Sequence, residues 1–167
     1  SNEFSLTNIV YYDANDKLKN AKISTTVDLI YNGGAYPGFA TDDLKIESGY
    51  MVLIDRDMDK VYDAVNITEY QDIMVKGFDT VNNTIYTEGK SIVLDDYIQY
   101  IVTDLDGVEM EASKLVKDTV ASVIAAKDKS SIHIISCSKN VVQGAVDYAE
   151  VDEKKYSVNG AVYELSN

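Results

Sequence analysis

Tyr156-Ser157-Val158-Asn159-Gly160-Ala161-Val162-Tyr163-Glu164-Leu165 sets two runs of strand-forming residues on either side of Asn159-Gly160. That pair accepts the positive φ angles of a two-residue hairpin turn, so the stretch is predicted to be a β-hairpin. Working outward, Asn82-Asn83 and Asp106-Gly107 stand in the same relation to their neighbours. Around these turns the chain carries 13 tyrosines, much Val, Ile and Thr, and a single proline, Pro37. Polar breaks recur about every eight to twelve residues, a spacing that signals antiparallel β structure.

Strands are therefore expected at Phe4 to Tyr12, Lys22 to Tyr31, Gly49 to Ile54, Val61 to Ile67 and Tyr70 to Val75, with Gly33-Gly34 as a turn. In the second half they are expected at Thr84 to Thr87, Ser91 to Leu94, Tyr97 to Thr103, Thr119 to Ala126, Ile132 to Ser136, Val141 to Val151, Tyr156 to Val158 and Ala161 to Leu165. Two short helices are expected, one capped by Thr41 and starting at Asp42, the other over Glu111 to Lys117 with a break at Lys117-Asp118. The predicted fold class is all-β with minor α. A boundary near Asp79 to Asn83 divides it into two small antiparallel barrel-like or sandwich-like units, 1–80 with the Asp-rich hairpin and 81–167. No Pro-rich or Gly/Ser-rich linker separates them, so direct packing and fixed geometry are expected.

The net charge is −13, from 28 acidic against 15 basic residues. Such a surface repels phosphate backbones and anionic lipid, which argues against a nucleic-acid partner. No apolar run suited to membrane insertion is present. Cations, basic proteins and neutral polysaccharides stay open as partners. Cys137 is the only cysteine, so no intrachain disulfide can form, and the count fixes no redox compartment. Ser1-Asn2 reads as a cloning remnant ahead of an excised fragment, with any signal or anchor expected outside it.

Chemistry concentrates in Asp55-Arg56-Asp57-Met58-Asp59-Lys60-Val61-Tyr62-Asp63. Asp55, Asp57, Asp59 and Asp63 occupy positions one, three, five and nine of a calcium-loop template, and calcium takes about six to eight oxygen ligands. Lys60 stands where that template has glycine, and Asn66 stands where a bidentate glutamate would close the cage. The competing reading is a solvated hairpin tip whose charges discourage edge-to-edge pairing. His133 and Cys137 share a strand face about 13 Å apart at about 3.3 Å per residue, too far for a nucleophile and its base. No nucleophile elbow, P-loop or dinucleotide fingerprint occurs. Asp42-Asp43, Asp95-Asp96 and Asp152-Glu153 fall at turns or helix starts, where solvated charge is the ordinary explanation. Tyr97 with Tyr100, or Tyr62 with Tyr70, could form a sugar-stacking platform, although strand packing also accounts for them.

Three stretches carry a family likeness: Val27 to Gly33, Met51 to Asp63 and Val158 to Ser166. In order and style they resemble β-rich modules of clostridial and related Gram-positive surface proteins that also carry S-layer homology repeats. The resemblance implies an extracellular, cell-wall setting and no assigned activity. The expected function is a non-enzymatic structural or interaction module, with calcium as the one candidate cofactor. Its partners would be neighbouring domains of the same protein, other surface proteins or cell-wall glycan. The alternatives are a cell-wall carbohydrate-binding module and a hydrolase with an unrecognised carboxylate pair.

Overall fold

The computed structural model of the chain describes residues 2–4, 8–36, 45–46, 48–138, 142–153 and 155–164. It is an all-β protein, with three sheets and no closed barrel among the described residues. The expected helix starting at Asp42 lies outside the described residues. Two compact units divide the chain, residues 1–137 and residues 138–167.

The first unit holds two sheets. In the first, β1 (Asn2–Phe4), β2 (Asn8–Tyr12), β3 (Leu18–Tyr31), β4 (Gly34–Ala35), β5 (Lys45–Ile46), β6 (Gly49–Ile54) and β7 (Tyr62–Glu69) run in the order β5-β1-β2-β3-β7-β6, with β4 pairing β3. Most pairings are antiparallel, as expected, but β3 and β7 run parallel. Their register slips between Ile23 and Asp28, where the Thr26 N–H donates to Ser24 Oγ and the two hydroxyls bond to each other. Ile9, Ile23, Leu29, Tyr31, Val65 and Ile67 form the core beneath this sheet. They are β-branched, leucine or tyrosine, the residue types that pack on a pleated surface.

The second sheet contains β8 (Gln71–Asp79), β9 (Thr84–Thr87), β10 (Ile92–Val93), β11 (Gln99–Asp104), β12 (Val120–Ala125) and β13 (Ser131–Ser138), ordered β10-β9-β8-β12-β13-β11. Here β11 and β13 are parallel. Val75, Ile85, Leu94, Leu115, Ile132 and Ile134 fill a separate core. The two sheets divide at Tyr70, between β7 and β8, while Thr80 to Asn83 form the turn of the β8–β9 hairpin. Within Glu111 to Lys117 the helix shrinks to one 3-10 turn, Ala112–Lys114, and the chain breaks at Asp118, whose φ is 67°. Seven residues are too few for a helix to hold without a packed face, and Ala112 and Leu115 are the only ones buried here.

The second unit contains β14 (Val146–Glu150), β15 (Lys155–Val158) and β16 (Ala161–Glu164), an antiparallel sheet of three strands. Val158 pairs with Ala161 across Asn159 (φ 51°) and Gly160 (φ 76°), the two-residue turn that the sequence predicts.

Candidate functional site

The Asp-rich segment is the connection between β6 and β7, at one end of the first sheet. Asp55 governs its shape. One carboxylate oxygen accepts the N–H of Met58 at 2.7 Å and the other that of Lys60 at 2.9 Å. Asp63 accepts the N–H of Arg56 at 2.9 Å, so the first and last acids close the loop on itself. Met58 (φ 62°) and Lys60 (φ 70°) both adopt the left-handed conformation. Lys60 therefore makes the sharp turn for which the calcium template uses glycine, at the steric cost a side chain carries there.

One carboxylate oxygen from each of Asp55, Asp57 and Asp63 lies within 4.8 Å of the others. Asp59, the fourth residue of the sequence-predicted set, spends a carboxylate oxygen on the N–H of Val61 at 2.7 Å and stands outside that trio. Asn66 sits in mid-strand, paired with Val52 and Ile30, well along β7 from the loop. The bond from the Asp59 N–H holds the Asp57 carboxyl down. Desolvation and the charges of Asp59, Asp63 and Asp55 outweigh it, and the Asp57 pKa rises above the ordinary aspartate value. Arg56 pairs with Asp28 on β3 at 2.8 Å, and among the described residues neither Arg56 nor Lys60 forms an ion pair with the trio. The arrangement offers three hard oxygen donors and repulsion that a divalent cation would relieve.

The other sequence candidates have structural partners. His133 bonds through Nε2 to the buried Thr103 hydroxyl at 2.9 Å, and burial lowers its pKa. The Cys137 thiol has a single S–H to share between Ser122 Oγ and the Ile135 carbonyl, both at 3.3 Å. Asp95 accepts from the Asn83 amide, Asp96 pairs with Lys129 and Glu153 with Lys155. Asp42-Asp43 lie outside the described residues.

Tyrosines regroup in a way that sequence proximity does not show. Tyr62 packs against the first core and Tyr100 lines a shallow hollow beside Met110. Tyr70 and Tyr97, one from each suggested pair, meet Tyr31 around a cleft of about 620 Å³ where the two sheets of the first unit adjoin. Asn32, at the end of β3, holds that junction. Its N–H donates to the Ile67 carbonyl at 2.8 Å, its side-chain oxygen accepts from Glu69 N–H at 2.8 Å, and its amide donates to the Ala125 carbonyl at 2.9 Å. The Tyr31 hydroxyl donates to Glu69, and Lys127 lies 4.9 Å from the centre of the Tyr31 ring. Burial first, and Glu69 second, push the Tyr31 pKa up. In the sequence Gly33-Gly34 is legible as a turn, and Tyr70 and Tyr97 as stacking candidates in other pairings, but Asn32 is not legible as a clip between sheets.

No protein-family model matches this sequence, and neither the curated proteins nor the solved structures contain a significant match to it.

Proposed function

We propose that the chain is a non-enzymatic structural or interaction module of a bacterial cell-surface or S-layer-associated protein, rigidified by calcium at the β6–β7 loop. The observation that carries the reading is the convergence of Asp55, Asp57 and Asp63 on a loop whose backbone already has the turn that calcium loops use. Calcium is the fitting cation because every donor is a carboxylate oxygen, and backbone carbonyls and water can complete its flexible coordination. An extracellular setting, where calcium is plentiful, fits the motif likeness of Val27 to Gly33, Met51 to Asp63 and Val158 to Ser166. Neighbouring domains, other surface proteins or cell-wall glycan are the partners this reading implies. Extended sheets suit a module that holds its neighbours at a fixed spacing.

Thermal unfolding of chelator-stripped protein with and without millimolar calcium tests it, because a cation bound only by the folded state raises its stability. The midpoint is expected to rise by about 3 to 8 °C in wild type and not to move in Asp57→Ala. An equal midpoint in both conditions for wild type would leave the loop as a solvated hairpin tip.

A further inference from the structure

The cleft at the junction of the two sheets is separate from the Asp-rich loop and has chemistry of its own. Its volume of about 620 Å³ lies inside the range of about 300 to 1,000 Å³ of small-molecule sites. A second hollow of about 430 Å³ adjoins it and shares Gln71, Asp72, Tyr97 and Lys129, so the two form one continuous trough. Two tyrosines with exposed ring surface, Tyr70 and Tyr97, border the first hollow, and the buried Tyr31 forms part of its wall. Between them stand donors and acceptors in mixture: Lys127, Gln71, Glu69 and Asp72. Lys127 forms no ion pair among the described residues and is held over the Tyr31 ring. Lys129, by contrast, is matched to Asp96.

We infer that this trough binds a neutral oligosaccharide. Sugar rings present C–H faces that lie against aromatic faces, and each hydroxyl both donates and accepts. That pairing of properties answers a lining of tyrosine faces, amide, ammonium and carboxylate. An apolar ligand would cover the Gln71 amide and the Lys127 ammonium without giving them partners, at a cost in affinity. A polyanion would meet Glu69, Asp72 and a chain of net charge −13. The walls are fixed in advance by the three Asn32 bonds and by the backbone bond from Ile98 N–H to the Lys129 carbonyl at 3.0 Å. Preorganisation of this kind spares a ligand the cost of ordering its site.

The test is titration of the chelator-stripped protein with cellotriose, maltotriose and triacetylchitotriose, read by calorimetry and saturation-transfer NMR, with trigalacturonate as the anionic comparison. Chelation keeps the result independent of the calcium loop. At least one neutral trisaccharide is expected to bind with a Kd of about 0.1 to 1 mM. Tyr70→Ala should weaken it about tenfold and the exposed Gln71→Ala about threefold, while Tyr50→Ala, on β6, should leave it unchanged. Unfolding midpoints close to wild type in Gln71→Ala and Tyr50→Ala separate lost contacts from lost folding. Absence of signal from all three neutral sugars at about 10 mM, equal weakening by Tyr50→Ala, or tighter binding of trigalacturonate would each overturn the inference.

Discussion

Asn32 is where one side chain decides how two sheets adjoin. It is buried, its φ of 50° is a conformation asparagine tolerates better than most residues, and both ends of its amide are used. Replacing it with alanine deprives Glu69 N–H and the Ala125 carbonyl of their partners together. Stranding such groups away from water costs more than the bonds themselves contribute, so Asn32→Ala is expected to lose about 2 to 3 kcal/mol in denaturant unfolding. Asn32→Asp keeps the acceptor for Glu69 N–H but loses the donor to Ala125, and places a charge beside Glu69. It should therefore also destabilise, and a stability equal to wild type in either variant would show that the clip carries no energy. Glu69 itself is held by the Tyr31 hydroxyl, so the clip and the cleft wall share a residue.

At the level of elements, the surplus of acid has a structural use that composition hides. Asp13 accepts the N–H groups of Asn15 and Lys17, Asp79 those of Val81 and Asn82, and Asp104 those of Asp106 and Val108. Each carboxylate satisfies turn donors that no strand can reach, which is the behaviour expected of aspartate at turns. The Asn82 amide, the N–H groups of Val81 and Asn82, and the Tyr86 hydroxyl hold the Asp79 carboxyl below its usual pKa. A depressed folded-state pKa means the stabilisation is present above the unfolded value, about 3.9, and is lost as pH falls through the folded one. Asp79→Asn should therefore melt below wild type at pH 7, with the gap closing toward pH 2 or so; a constant gap would show that the charge is irrelevant. Turns were the legible part of this fold: Asn159-Gly160, Asp106-Gly107 and Asn82-Asn83 all connect or flank strands because their chemistry is local. The parallel pairs β3–β7 and β11–β13 were not legible, since no residue near either partner encodes a neighbour some thirty or more positions away. Likewise β3 begins at Leu18, not Lys22, because pairing with β2 carries Leu18 to Asn20 into the ladder against weak propensity.

For the whole molecule, burial is distributed unevenly, and this separates what the chain needs for folding from what it merely carries. Every buried apolar side chain among the described residues lies between Ile9 and Ile134. In residues 138–167 the one buried residue described is Ser157, whose hydroxyl donates to Asp147 at 3.0 Å. Within the first unit, the grouping of Asp55, Asp57 and Asp63 could be read from sequence, while that of Tyr70 with Tyr97 could not. The acids are neighbours along nine residues of chain, whereas Tyr31, Tyr70, Tyr97 and Lys127 come from four distant stretches that only the two-sheet packing gathers. A sheet of three short strands in 30 residues falls below the roughly 40 residues at which a chain can fold without disulfide, metal or partner. A fragment of residues 1–138 should accordingly unfold in a cooperative transition and keep the dispersed methyl spectrum of its two cores, while a peptide of residues 138–167 should show the circular dichroism of an unfolded chain. If the longer fragment instead failed to fold, the cores centred on Val65 and Ile134 would be insufficient by themselves, and the last three strands would have to contribute to folding despite the little they bury.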